Sequence, residues 1–277
     1  MDLKEKLQEF KNNNFENKDN IEGVLVKMME NIGHPDPELR DQLIYTTFYR
    51  WIEKDILTKD QLQSLLKTSI DENHLFYKIG ERFTDSVFTR SFSSLAAALV
   101  IRKDTEAPSL PKELISEGIK SSIRYLVEER DTRGYVQGKG WAHSIAHGAD
   151  LLAASINHPA FEKNLIPACL EAIEACYEKE AVYMDDEDER LIFAVEALLK
   201  NGLSKQELMT WLENMNRNLK TSYEDSGFSV PFFRRKKNFL DFLKSLFFRV
   251  GCLDGYKDVQ EEISSILEKW HHTLYTP

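Results

Sequence analysis

The sequence predicts an all-α protein made of helix hairpins stacked side by side, as in HEAT repeats. Apolar residues recur with helical spacing in nearly every window, for example at Leu3, Leu7 and Phe10, and no run alternates as a strand does. Two segments also resemble each other, LIYTTFYRWIEKDILTKDQLQSLL from Leu43 and LIFAVEALLKNGLSKQELMTWL from Leu191. Hairpins that begin about every 50 residues are typical of helical repeats. An irregular helical bundle is the alternative.

Residues 1–20 are expected to form an N-terminal helix and a polar linker, KNNNFENKDN, and residues 21–277 a single domain of about five hairpins. Besides the two similar segments, the predicted helix pairs are 92–101 with 110–127, 141–156 with 161–177, and 239–250 with 259–270. Helix starts are marked by Thr58 and Ser204, each followed three residues later by Gln61 or Glu207. This spacing predicts two capping boxes.

Charge and cysteine usage limit the classes of function. The formal net charge is −10, so we expect neither nucleic acid nor an anionic membrane as a partner. The basic segment FFRRKKNF, residues 232–239, is interpreted as a solvated turn before a helix. Cys169 and Cys176 stand seven residues apart in a helical pattern, which indicates reduced core residues and a cytoplasmic location. The longest apolar run, residues 95–101, is too short to span a bilayer.

The segment GYVQGKGWAHSIAHGAD, residues 134–150, concentrates the unusual chemistry of the chain. Gly138 and Gly140 flank Lys139 and permit a tight turn whose backbone N–H groups could face an anion. The turn is not a Walker loop, because Lys139 is followed by glycine rather than by Ser or Thr. An anion nest and a plain helix start with flexible glycines both stay open.

The two histidines of this segment suggest a metal site. On one helix, His143, His147 and Asp150 would lie within about 60° of each other, so they could hold zinc, manganese or iron together. The glutamate of the H-E-x-x-H motif is absent, because Ser144 follows the first histidine. A further ligand would come from the acidic run 185–189, or from Glu81 or Asp85.

Three functional hypotheses follow, and no catalytic residue can be assigned. The leading one is a binding module for a small anionic or polar ligand or a peptide, with Tyr135 and Trp141 as an apolar wall. The candidate residues are Arg90, Tyr135, Lys139, Trp141, His143, His147, Asp150 and Arg190. Arg40, Arg90 and Arg190 occupy corresponding places in their hairpins and are expected to form a polar ridge. The alternatives are a metal-dependent hydrolase with His143 and His147 as ligands, and a protein–protein scaffold. The segment could also be architectural, because Ala146 and Gly148 would let a neighbouring helix approach closely.

Three stretches carry a resemblance to a known family: RDTRGYVQGKGWAHSIAHGADLL from Arg130, FTRSFSSL from Phe88 and DEDERLIFAVEALL from Asp186. Together they resemble a family of Firmicutes proteins defined only as a domain of unknown function, with GKGWAHxxAHGADLL as its signature. The resemblance implies an all-helical cytoplasmic bacterial protein and brings no activity with it.

Overall fold

The computed structural model describes residues 2–16, 20–179 and 181–275, which form twelve α-helices and one short β-hairpin. The helices are α1 Leu3–Asn12, α2 Ile21–Glu30, α3 Thr46–Glu53, α4 Lys59–Ser69, α5 Ser86–Glu106, α6 Lys112–Glu128, α7 Ser144–Asn157, α8 Ile166–Tyr177, α9 Glu187–Lys200, α10 Lys205–Ser226, α11 Val230–Gly251 and α12 Lys257–Tyr275. A π-helical segment, Glu38–Tyr45, leads directly into α3, and a 3₁₀ turn, Lys163–Leu165, precedes α8. The strands are β1 Tyr135–Val136 and β2 Gly140–Trp141.

Neighbouring helices in the fold come from successive predicted hairpins. The first helices of successive hairpins form a row in which α3 packs on α5, α5 on α7, α7 on α9 and α9 on α11. On the other side, α4 packs on α6 and α6 on α8. The all-α prediction is therefore confirmed, whereas the repeat relationship between the hairpins stays a prediction.

Most of the apolar core lies in two clusters that adjoin at α6 and α7, and a third, small cluster holds Val87, Phe88 and Ala142. Tyr125 and Leu151 belong to the N-terminal cluster, while Leu126 and Leu152 belong to the C-terminal one. Close approach of α6 to α7 requires a glycine, because a Cβ at Gly148 would lie 2.7 Å from Leu126 Cδ2 and 2.8 Å from Tyr125 Cε1. The two helices thus hold both halves of the core together.

Both predicted capping boxes are present. The Oγ1 of Thr58 accepts the N–H of Gln61 at 3.3 Å, and the Gln61 side chain accepts the N–H of Thr58 at 2.9 Å. Ser204 and Glu207 form the same reciprocal pair. These hydrogen bonds satisfy backbone donors that the first turn of a helix leaves unpaired.

The interpretation of the basic segment as a turn is wrong, because residues 232–239 lie inside α11. Ser229 caps this helix by accepting the N–H of Phe232, and a proline, whose missing N–H costs nothing there, occupies the first turn. Phe232 and Phe239, seven residues apart, are both buried, so this part of the helix has its own apolar face.

Three further expectations concern the predicted linker, the cysteines and membrane-spanning segments. Within the predicted linker, α1 continues to Asn12 and Phe15 is buried, whereas residues 17–19 lie outside the described residues. Cys169 and Cys176 are buried free thiols, as predicted. In the described part of the chain, no helix has the length and apolarity needed to cross a membrane.

Removing either cap oxygen is expected to destabilise the protein. Thr58→Ala or Ser204→Ala should lower the free energy of unfolding by about 1 kcal/mol, because each leaves first-turn N–H groups without an acceptor. Urea unfolding followed by circular dichroism measures this. Ser64→Ala, at an exposed position inside α4, is the control and should be neutral or slightly stabilising. Equal effects at all three positions would contradict the capping explanation.

Candidate functional site

The glycine-rich segment forms a β-hairpin that the sequence pattern did not predict. Tyr135 pairs with Trp141 and Val136 with Gly140 in antiparallel register. Gly138 and Gly140 adopt φ values of +77° and +79°, which glycine tolerates best. The N–H of Lys139 donates to the carbonyl of Val136 at 2.9 Å, and the N–H of Ala142 to that of Gly134 at 2.8 Å. These donors are used within the hairpin, which argues against an anion nest at the turn.

Arg40, from the π-helical segment, holds the β-hairpin in place through a hydrogen bond to its backbone. Its guanidinium is fully buried and donates to the carbonyls of His34 at 2.9 Å and of Lys139 at 2.7 Å. The Nε atom lies 2.7 Å from the Asp41 carboxylate. Its carbon Cζ lies 4.1 Å from the ring centroid of Phe88 and 4.7 Å from that of Phe92, both on α5. The hairpin is therefore tied to two helices.

His143 does not belong to α7, so the prediction that it shares a helix face with His147 and Asp150 is wrong. It is the N-cap residue, with the left-handed φ of 47°, and α7 begins at Ser144. Its ring instead stacks on Trp141 at a centroid distance of 4.4 Å and meets the His147 ring edge-to-face at 5.7 Å. The Nε2 atom of His143 is buried without a hydrogen-bond partner among the described residues. Burial lowers the pKa of His143, and the nearby Asp185 carboxylate opposes this effect.

His147 is held in one tautomer by α5. The Ser91 hydroxyl donates to the Ala142 carbonyl, so its oxygen accepts a hydrogen bond from Nδ1–H of His147 across 2.7 Å. The other ring nitrogen, Nε2, is consequently the basic one. Burial holds the pKa of His147 well below its usual value, and His143 and Arg190 lower it further. The ring is therefore neutral at pH 7.

The acidic run before α9 supplies two carboxylates to the same place. Asp185 accepts the N–H of Tyr135 at 3.0 Å, and its own N–H donates to Glu187 at 3.0 Å. A side chain at Gly134 would overlap the Asp185 carboxylate, so the glycine is required for this contact. Glu187 is only 2% exposed, and burial raises its pKa. One donor atom from each of His143, Asp185 and Glu187 lies within 4.8 Å of the other two.

The remaining predicted site residues are engaged elsewhere. Arg90 is fully buried and forms a bidentate ion pair with Glu129, at 2.6 and 2.8 Å, while its other nitrogen donates to Ser86 at 2.9 Å. Because Arg40 and Arg90 are both buried, they do not form the expected exposed ridge with Arg190.

Three of the predicted polar residues form ion pairs, and the role of Tyr135 and Trp141 as the wall of a ligand site stays a prediction. Lys139 pairs with Asp85 at 2.7 Å, and Arg190 with Asp150 at 3.2 Å. The residue that orients the His147 ring is Ser91. Tyr135 and Trp141 are partly exposed and pack edge-to-face at 5.1 Å.

The balance of charge at this end of the helix row favours a cation. The imidazoles are neutral at pH 7, Arg40 and Lys139 are paired with carboxylates, and Asp185 and Glu187 face His143. A buried carboxylate without a cation is costly, and a bound cation offsets that cost. His143, Asp185 and Glu187 are the residues here that could hold a cation.

These features define an all-helical protein in which the starts of several helices meet beneath a β-hairpin that carries a histidine–carboxylate cluster. The chain belongs to a family described as protein of unknown function (DUF2785), whose model matches residues 75–248. The matched residues include the hairpin and all three members of the cluster, but not Arg40. Comparisons with curated proteins and with solved structures gave no significant match.

Neutral, buried His147 makes stability depend on pH. The unfolded chain takes up a proton near the usual histidine pKa of about 6.5, whereas the folded protein resists protonation at this ring. Relative to His147→Asn, which keeps a donor for Ser91, the wild type should lose unfolding free energy as the pH falls from about 7 to 5. The difference should reach up to about 1.4 kcal/mol per pH unit. Urea unfolding at several pH values measures it, and parallel pH curves for the two proteins would contradict it.

Proposed function

We propose that the protein binds a divalent metal ion, zinc, manganese or iron, through His143, Asp185 and Glu187. The observation that carries the proposal is the convergence of one imidazole and two carboxylates, with donor atoms within 4.8 Å of one another. Ligands of a tetrahedral ion at about 2.1 Å lie about 3.4 Å apart, so small side-chain rotations would complete the site.

The surroundings of the three residues support this assignment. Trp141 stacks on the His143 ring and fixes its plane, while the N–H of Tyr135 holds the Asp185 carboxylate. Outer contacts of this kind orient metal ligands in proteins. Three protein ligands leave a coordination position for water or substrate, as in catalytic rather than structural zinc sites.

A metal-dependent hydrolase is the second candidate, and the tautomer of His147 supports it. With Nδ1–H committed to Ser91, the neutral ring offers Nε2 as a base next to His143. A bound metal would polarise a substrate carbonyl or phosphoryl oxygen or lower the pKa of a water molecule. His147 would then accept the proton of that water.

Metal binding is tested on protein purified without an affinity tag, by inductively coupled plasma mass spectrometry and by isothermal titration with Zn²⁺ and Mn²⁺. We expect near-stoichiometric binding to the wild type, and a loss of affinity of about 100-fold or more in His143→Ala and in Glu187→Gln. Bound metal should also raise the melting temperature of the wild type. The double variant His143→Ala, His147→Ala extends the comparison to both rings.

Asp186→Asn is the matched control. Asp186 is exposed, lies between the two proposed carboxylate ligands and has a left-handed φ of 65° that asparagine tolerates. This variant should bind metal as the wild type does. Metal-free wild type that takes up neither ion, or equal losses in Asp186→Asn and Glu187→Gln, would refute the site.

Hydrolysis is tested by screening the metal-loaded protein against phosphoester and amide substrates. Activity should fall at least about 100-fold in His147→Asn, which keeps the bond to Ser91 but lacks Nε2, while metal content stays unchanged. Activity that survives this substitution would rule out His147 as the base.

A further inference from the structure

A second polar site lies along the row of first helices, on the far side of Asp150 from the hairpin. A cavity of about 370 Å³ opens over α7 between α5 and α9, next to Tyr45. Ala98, Ala153 and Ala154 leave the space open, and Phe193 contributes an apolar surface. This volume is within the range of small-molecule sites, about 300–1,000 Å³.

The cavity has an excess of positive charge in a protein that is otherwise acidic. Arg102 from α5 and Arg190 from α9 both line it, together with one carboxylate, Asp150. Arg190 is paired with Asp150 at 3.2 Å. Arg102 makes neither an ion pair nor a hydrogen bond with any residue that the structure describes, yet its charge acts on both Tyr45 and Asp150. Arg102 is exposed at the rim of the cavity, and its N–H donors are free of protein partners within the described residues.

We propose that this cavity binds a small molecule carrying one carboxylate or phosphate group. The anionic group pairs with Arg102, whose planar fork of N–H donors matches either group. The apolar part of the ligand lies on Phe193 and the alanines, and Arg190 adds a second donor to the same ligand. This site is separate from the proposed metal ligands and does not rest on metal binding.

Burial of Asp150 supports this assignment. The pKa of this carboxyl is raised to about 6 because the group is largely desolvated. Reduced solvation around this carboxyl strengthens the attraction between charged groups on this side of the cavity. Arg190 forms the ion pair with this carboxylate, so the N–H donors of Arg102 are left for the ligand.

Two probes test the proposal on metal-free protein by isothermal titration calorimetry at low ionic strength: inorganic phosphate and hexanoate. We expect saturable binding of at least one probe. Arg102→Gln removes the charge, and Ala154→Leu fills the cavity without changing charge, so each should weaken binding about tenfold or more. Arg217→Gln, which changes an exposed arginine on α10, is the matched control and should bind as the wild type does.

The outcomes distinguish a phosphate ligand from a carboxylate ligand, and they test the cavity independently of the metal site. Binding of phosphate alone indicates a phosphorylated ligand, and binding of hexanoate alone a carboxylate with an apolar tail. If neither probe binds at millimolar concentration, or if Arg102→Gln and Ala154→Leu, with melting temperatures near that of the wild type, bind unchanged, the proposal is wrong. Because the protein contains no metal in this experiment, failure here leaves the metal site untouched.

Discussion

The geometry of the candidate site depends on the buried guanidinium of Arg40. Taking this cation out of water is costly unless its donors are satisfied. Two of its nitrogens donate to the carbonyls of His34 and Lys139, the Asp41 carboxylate lies 2.7 Å from Nε as an ion-pair partner, and the faces of Phe88 and Phe92 cover the charge. Because one of these carbonyls belongs to the hairpin, the N-terminal helices and the hairpin cannot separate without leaving a buried charge unpaired. The position of His143 follows from that constraint.

A second buried ion pair fixes the approach to the hairpin. The Glu129 carboxylate accepts hydrogen bonds from two nitrogens of Arg90. It also accepts hydrogen bonds from the backbone N–H groups of Arg130 and Asp131, both at 2.8 Å. Asp131 in turn accepts the N–H of Phe83 at 2.8 Å, and its carbonyl accepts the Ser144 hydroxyl. Removing one member of such a pair costs about 3–5 kcal/mol because the other charge stays buried. The chain between α6 and α7 is thereby held at both ends of the hairpin.

The sequence predicted the features that local signals specify. Helix periodicity predicted the all-α class, and the spacing of Thr58 and Gln61 predicted a cap that is present. The hairpin was missed because two-residue strands are too short to alternate. The prediction that His143 and His147 share a helix face was wrong because Gly140 still belongs to the hairpin, and α7 begins only after the left-handed His143. A sequence pattern cannot show this when the residue with positive φ is not a glycine.

Contacts between distant segments were the least predictable part of the site. The acidic run was a candidate source of a further ligand, but the contact of Asp185 with the hairpin joins residues 50 positions apart. Similarly, Ser91 carried no signal in the sequence, because a single serine in a helix gains its role only when His147 packs against it. Arg90 is charged and was expected at the surface, yet Glu129 makes its burial tolerable. Long-range partners, rather than local propensity, decide the chemistry of these residues.

The central claim is that the hairpin brings His143 to the two carboxylates before α9 and that the three hold a metal ion. The most direct measurement is an anomalous difference map from crystals grown with Zn²⁺, recorded at the zinc absorption edge. The account predicts one strong peak at about 2.1 Å from an imidazole nitrogen of His143 and from carboxylate oxygens of Asp185 and Glu187. A map whose only peaks lie away from these three residues, or a map without peaks, would contradict it.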